Sequence, residues 1–367
     1  MIYFVLFGFT YILFMLSDRS KGILRGFFVL SGILLICLFA GARDIGIGTD
    51  TLVYGYSTYL SSMDRGLAEH VSALAASSAP LFNVYAWVSA RLTGSFAGML
   101  FFIQLGSFLP FYLAIRKASP DKTAVCVLIY MLLVFPFTMN ALKQGIAVSL
   151  VFVAGCFAFR RRPVPFCVTL LIAVGFHLTA VVGILLYPLA LLVRGTDDTT
   201  PLRRRTFMFV AIVVFICYAV VILFGEELVR MVAPLRGAYS YQLNAIGQGS
   251  VSIGNLLLFV AFAVVGGMCL EDKGKGLDRE RSFLYILTVV GMAAYQFDVV
   301  AESLSRFAYY GVVFAPLFYR RMLGAQRREN YVFVVVLFVL IVLVFAYSVI
   351  LMGHQAVYPY TSTILGI

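Results

Sequence analysis

Four places in this chain carry residue types that could do chemistry on an anionic substrate. Arg43 is followed by Asp44, Gly46, Gly48, Thr49 and Asp50, then by Tyr54 and Tyr56. Glycines at that spacing allow tight turns with exposed N–H groups, and beside an arginine such a turn can hold a phosphate or a sugar hydroxyl. A helix stop, with Arg43 snorkelling and Asp50 capping the next element, is the alternative. Lys143 and Gln144 open the apolar run 142–159. A helix start disfavours a cation and attracts an anion, so a lysine there fits an anionic ligand beside it, with an interfacial anchor as the plainer role.

His177 interrupts the apolar stretch 163–193, which is too long for one membrane span and barely enough for two. A histidine at the tip of such a shallow helical hairpin can be reached from water and is a candidate general base, unless it is simply a satisfied structural residue. His70 and His354 lie in polar segments without that framing and read as surface. Glu302 and Arg306 are four residues apart, followed by Tyr309 and Tyr310. On one helix face the carboxylate offsets the arginine's charge, and it can equally orient an arginine that binds phosphate. Arg236 sits among Tyr239, Tyr241, Gln242 and Asn244, a mixture that suits sugar stacking and equally an interfacial aromatic belt.

These residues can meet only if the elements that carry them end at one face. Of 367 residues 62% are hydrophobic and 12% charged, so nearly all of the chain must be solvated by lipid or by itself. Spans of roughly 20 apolar residues are needed to cross a hydrocarbon core. Hydropathy places them near 2–17, 23–41, 95–115, 122–138, 142–159, 164–176, 178–193, 206–224, 251–270, 282–300, 303–319 and 331–352. The expectation is an all-α polytopic membrane protein of about twelve helices, forming a single membrane domain over residues 1–367. Residues 81–93, with Asn83, Trp87 and Arg91, are too short to span and read as an interfacial or re-entrant helix.

The cations orient this set. Of 28 Lys and Arg, 21 fall in the loops 19–25, 116–122, 160–162, 194–205, 273–281 and 320–328. The positive-inside rule puts those loops in the cytoplasm, with both termini on the other side. The remaining cations, Arg43, Arg65, Arg91, Lys143, Arg230, Arg236 and Arg306, stay at or near the outer face against that bias. The long outer stretches 42–94 and 225–250 are expected to contribute to the active face. A net charge of +11 therefore reports topology and not nucleic-acid binding. The first apolar run lacks a basic leader and a cleavage site and is expected to be retained. The six cysteines all fall in expected spans, with no disulfide or metal-ligand spacing implied.

With these residues in order, the chain resembles the EpsG-like branch of the Wzy polysaccharide polymerases. The resemblance rests on Arg43 running into Gly48-Thr49-Asp50-Thr51 and Tyr54, and on Lys143-Gln144 where the family typically has Arg-Gln. Phe176-His177, Ser305-Arg306 with Tyr309 or Tyr310, and Tyr358-Pro359-Tyr360 complete it. It implies a GT-C-like inner-membrane glycosyltransferase that transfers a glycan from undecaprenyl pyrophosphate to the non-reducing end of another lipid-linked repeat unit at the periplasmic face. No metal, cofactor or nucleotide sugar is implied; a chain-length regulator in the same membrane is a possible partner. Arg43, Lys143 and Arg306 would stabilise the leaving pyrophosphate, and His177 or Asp50 would take the acceptor proton. Gln144, Tyr54, Arg236, Glu302 and Tyr310 would line the substrate site. A lipid-linked oligosaccharide flippase, an O-antigen ligase and a membrane acyltransferase are the rival readings. A flippase should line a central cavity with its cations, whereas these gather at helix ends.

Overall fold

A computed structural model of the chain describes residues 1–73, 79–195, 202–232, 249–272, 276–325 and 331–367. Seven helices among them are long and apolar enough to cross a membrane: Ile2–Arg19, Gly22–Gly41, Phe96–Ala118, Leu142–Phe159, Arg204–Glu227, Arg279–Val299 and Tyr331–Leu351. Shorter apolar helices cover Thr123–Leu133, Pro163–Phe176, Leu178–Arg194 and Ile253–Met268. The chain is thus a multi-pass, all-α membrane protein, divided into two compact units: residues 1–184 with 345–367, and residues 185–344.

Twelve unbroken spans are not what the helices give, and proline explains part of the difference. The expected span 122–138 is divided into α7 (Thr123–Leu133) and α8 (Phe135–Asn140), with Val134 at φ −119° between them. Pro136 then sits in the first turn of α8, where its missing N–H leaves no helical bond unmade. The expected span 303–319 is likewise a series of short pieces around a 3-10 turn at Arg306–Ala308.

In the first unit α1 (Ile2–Arg19) and α2 (Gly22–Gly41) form an antiparallel pair against α6 (Phe96–Ala118) and α7. Their two ends differ in chemistry. At one end the Asp18 carboxylate accepts the Thr123 hydroxyl at 2.7 Å and the Ala124 N–H at 2.9 Å, while Arg25 pairs with Asp121 at 3.3 Å. The basic loops 19–25 and 116–122 therefore meet there, as the positive-inside reading requires. About 23 Å away along α1, Tyr3 donates its hydroxyl to Val357 O at 2.6 Å, and Tyr360 stacks on Phe39 at 4.0 Å. The chain's last residues are thus held against the end of α2 that leads into Arg43.

The described residues of the stretch 42–94 are largely helical. A π-turn at Thr51–Gly55 runs into α3 (Tyr56–Asp64), followed by α4 (Leu67–Ala73) and α5 (Pro80–Thr93). Pro80 starts α5, and Gly94 ends it with a left-handed cap at φ +63°. Its 14 residues rise only about 21 Å, too short to cross. One face, Phe82, Asn83, Ala86, Ser89 and Ala90, is buried, and this face packs against Leu100, Ile103, Leu142 and Ile146. α9 (Leu142–Phe159) and α10 (Pro163–Phe176) complete the unit as a closely packed antiparallel pair.

The second unit contains α11 (Leu186–Arg194), α12 (Arg204–Val232), α13 (Ile253–Met268), a two-residue hairpin of β1 (Glu271–Asp272) with β2 (Gly276–Leu277), and α14 (Arg279–Ala294). The short α15 (Glu302–Ser305) and α16 (Tyr309–Val312), then α17 (Ala315–Ala325) and most of α18 (Tyr331–Phe345), follow. Within it α14 and α16 approach glycine on glycine. A Cβ on Gly311 would stand 2.5 Å from Leu287 O and 2.7 Å from the Gly291 Cα. Helices in lipid associate through such small-residue contacts, because apolar burial alone does not favour a neighbouring helix over lipid. Gly311→Ala should therefore force α14 and α16 apart, costing roughly 1–3 kcal/mol. A melting temperature in detergent equal to wild type would contradict that packing.

Candidate active site

Arg43 leaves the end of α2 and is 4% exposed. Its guanidinium donates to Ala40 O at 2.5 Å, Met139 O at 2.8 Å, Thr51 Oγ1 at 3.1 Å and Ile47 O at 3.3 Å. Burial lowers its pKa to about 10, so it remains charged at neutral pH. Four acceptors from three segments make it an internal tie between α2, the loop 44–51 and the end of α8. The same loop makes its sharpest turn at Gly48, with φ +84°. A Cβ there would lie 2.9 Å from Met139 O, so only glycine fits between the loop and α8.

This packing delivers Asp50 to the start of α9. The Asp50 N–H donates to Asn140 Oδ1 at 3.1 Å, and its carboxylate accepts the Tyr54 hydroxyl at 2.8 Å. Lys143 extends over the same tyrosine, with Nζ 4.1 Å from the Tyr54 ring centre and 5.5 Å from that of Phe82. Asp50 is the carboxylate whose charge reaches it. An ammonium on an aromatic face keeps its charge while losing much of its water, so it meets an incoming anion at reduced desolvation cost. Gln144, the next residue, is buried. One contiguous cluster thus holds Arg43, Asp50, Tyr54 and Lys143, at the end of the helices away from the basic loops.

His177 caps α10 at its C-terminal end, with Nδ1 2.7 Å from Thr179 Oγ1. α10 starts beside the basic loop 160–162, so its far end points the same way as the start of α9. The link between His177 and the Lys143 cluster is α5. Phe82 contacts the ammonium, and one turn on, Tyr85 meets Phe176 edge to face at 5.8 Å. His70, expected at the surface, is fully buried, with Nδ1 3.0 Å from Ser61 Oγ. Burial holds its pKa below the ordinary histidine value. The packing of α3 and α4 on α5, and of α5 on α6, encloses it, which a locally polar sequence does not signal. His354 is exposed.

The second unit carries the other candidates. Arg306 is half-buried at the 3-10 turn that follows α15, and Tyr309 and Tyr310 are buried behind it, Tyr309 meeting Tyr295 edge to face at 5.3 Å. The side chain of Glu302, and Arg236 as a whole, lie outside the described residues. Among the described residues no group of three His, Cys, Asp or Glu is placed to hold a metal ion. The six cysteines form no disulfide with one another.

Two amides of the cluster were assigned no site role from sequence. Asn140 and Gln355 are 215 positions apart, yet the Asn140 amide donates to Gln355 Oε1 at 3.0 Å. An amide has no distinguishing type or periodicity, and only the return of the C-terminal segment brings this pair together.

The model of the EpsG family matches residues 26–362, nearly the whole chain. The chain belongs to the EpsG family. That is the family of Wzy-like polysaccharide polymerases. The match runs from within α2 through the Asp50–Lys143 cluster to the tail that packs on it. No curated protein and no solved structure matches the chain.

Proposed function

We propose that this EpsG-family protein is a glycosyltransferase of the bacterial inner membrane, acting on lipid-linked repeat units at the periplasmic face. It transfers a glycan from undecaprenyl pyrophosphate to the non-reducing end of a second lipid-linked unit. The observation that carries this reading is the Lys143 ammonium, held over Tyr54 beside Asp50 at the first turn of α9. It combines a partly desolvated cation with a helix N-terminus, at the end of the first unit away from the basic loops. Both features favour a phosphate.

The acceptor hydroxyl oxygen bonds to the anomeric carbon, the bond from that carbon to the pyrophosphate oxygen breaks, and its electron pair leaves with the pyrophosphate. Lys143 stabilises that charge as it develops, a contribution of roughly 3–4 kcal/mol for one well-placed donor. The base must approach from the side opposite the leaving group. A carboxylate beside the leaving-group cation is badly placed for that step, since it would repel the pyrophosphate. His177, separated from Lys143 by α5, is therefore assigned as the base, and Asp50 as the group that holds Tyr54 and Lys143 in place. Arg43 maintains the loop that bears Asp50.

Glycan length in a strain lacking this gene tests the reading. Single repeat units at the surface are the expected result. Loss of all surface glycan would favour a flippase, and polymer that forms but stays on its lipid carrier would favour a ligase.

A further inference from the structure

The C-terminal segment reaches the cluster through an unusual backbone. Gln355 has φ +71° and Ala356 φ +51°, a left-handed conformation that is disfavoured for any residue with a Cβ. Gly353, at φ +68°, makes the preceding turn without that penalty. Local sequence gives no reason for Gln355 and Ala356 to adopt that conformation, since neither is Asn, Asp or Gly. Beyond the local Ala356 N–H to Gly353 O bond at 3.0 Å, contacts to distant segments hold them: Ala356 O accepts the Gly48 N–H at 2.7 Å, and Gln355 Oε1 accepts the Asn140 amide at 3.0 Å.

The direction of that second bond is fixed. Asn140 Oδ1 is taken by the Asp50 N–H, so its NH2 group must face Gln355, and Gln355 must turn its oxygen to meet it. The tail does not need this bond to stay in place. Tyr360 donates to Phe39 O at 2.7 Å and Ser362 to Ala42 O at 2.5 Å, while the Asp44 carboxylate accepts both the N–H and the hydroxyl of Thr363 at 2.8 Å. Those last bonds hold the Asp44 carboxyl below its ordinary pKa. With the tail anchored beyond it, a strained Gln355 serves the loop more than the tail.

We propose that Gln355 is a positioning residue. Acting through Asn140, it fixes the Asp50 segment, and with it the carboxylate that holds Tyr54 beside Lys143. This rests on the polymerase reading above for its kinetic consequence only.

The test uses purified full-length protein and lipid-linked repeat units extracted from the deletion strain. Gln355→Ala and Asn140→Ala should each lower kcat about tenfold, with little change in KM or melting temperature. The double variant should be no slower than Asn140→Ala alone, because that change already removes the Gln355 bond together with the bond from the Asp50 N–H. Gln355→Glu keeps an acceptor oxygen and should recover most of the rate. Additive losses, or a Gln355→Glu protein as slow as Gln355→Ala, overturn the proposal. Hydrogen exchange gives a readout independent of chemistry: Gln355→Ala should speed exchange of the amides at 48–51 and leave those of α1 unchanged. Unaltered exchange at 48–51 also overturns it. A wild-type protein that makes no polymer refutes the polymerase reading instead, and the exchange result then decides the role of Gln355 alone.

Discussion

Lys143→Met should reach the membrane at the wild-type level and polymerise roughly 10²–10³-fold more slowly. Methionine is nearly the length of lysine and packs well on aromatic rings, so the cage of Tyr54 and Phe82 stays filled. What is lost is the positive charge at the first turn of α9. Lys143→Arg keeps that charge and should retain most of the activity, even though a guanidinium and an ammonium are not interchangeable in detail. The measurement is initial rate of polymer formation against protein accumulation for the three proteins. Near-wild-type turnover by Lys143→Met would make Lys143 an interfacial anchor and remove the leaving-group cation from the mechanism.

The second large effect belongs to His177. A general base is worth about 10²–10⁴ in rate, and both His177→Ala and His177→Gln should lose that much. Glutamine keeps approximate size and a hydrogen-bonding group for Thr179 but cannot take the proton. A purely structural histidine would tolerate Gln much better than Ala. For Nε2 to act as the base, Nδ1 must carry the hydrogen and donate it to Thr179 Oγ1. Activity of the wild type should fall on acidification, because a protonated imidazole accepts nothing. Asp50→Asn keeps the bond with Tyr54 but loses the charge beside Lys143, and it should be impaired less than His177→Gln. The opposite ranking would move the base to Asp50.

Much of this was legible in the residues. The first unit's basic loops 19–25 and 116–122 meet at one end of α1, and Arg43, Asp50 and Lys143 gather at the other. Positive-inside patterning carries that information because it acts on every span separately. Helix continuity was less readable. Hydropathy averages over a window and passes through Val134 and Arg306, where the backbone leaves the helix. The environment of Arg43 was also hidden: a cation after a span reads as exposed, whereas its partners Met139 and Ala40 offer backbone carbonyls, which every residue possesses. His70 was misread for the same reason, since burial by α5 is a tertiary event. The Asn140–Gln355 bond joins the two separate stretches of sequence that make up the first unit and leaves no local trace.

The central claim is that the Asp50–Tyr54–Lys143 cluster is where pyrophosphate leaves. Its most direct test is polymerisation of isolated lipid-linked repeat units by the purified protein, with the released undecaprenyl pyrophosphate measured alongside glycan length. Wild type should release about one pyrophosphate carrier per added repeat, and Lys143→Met should lose release and elongation together. Elongation that persists at wild-type rate in Lys143→Met would contradict the account.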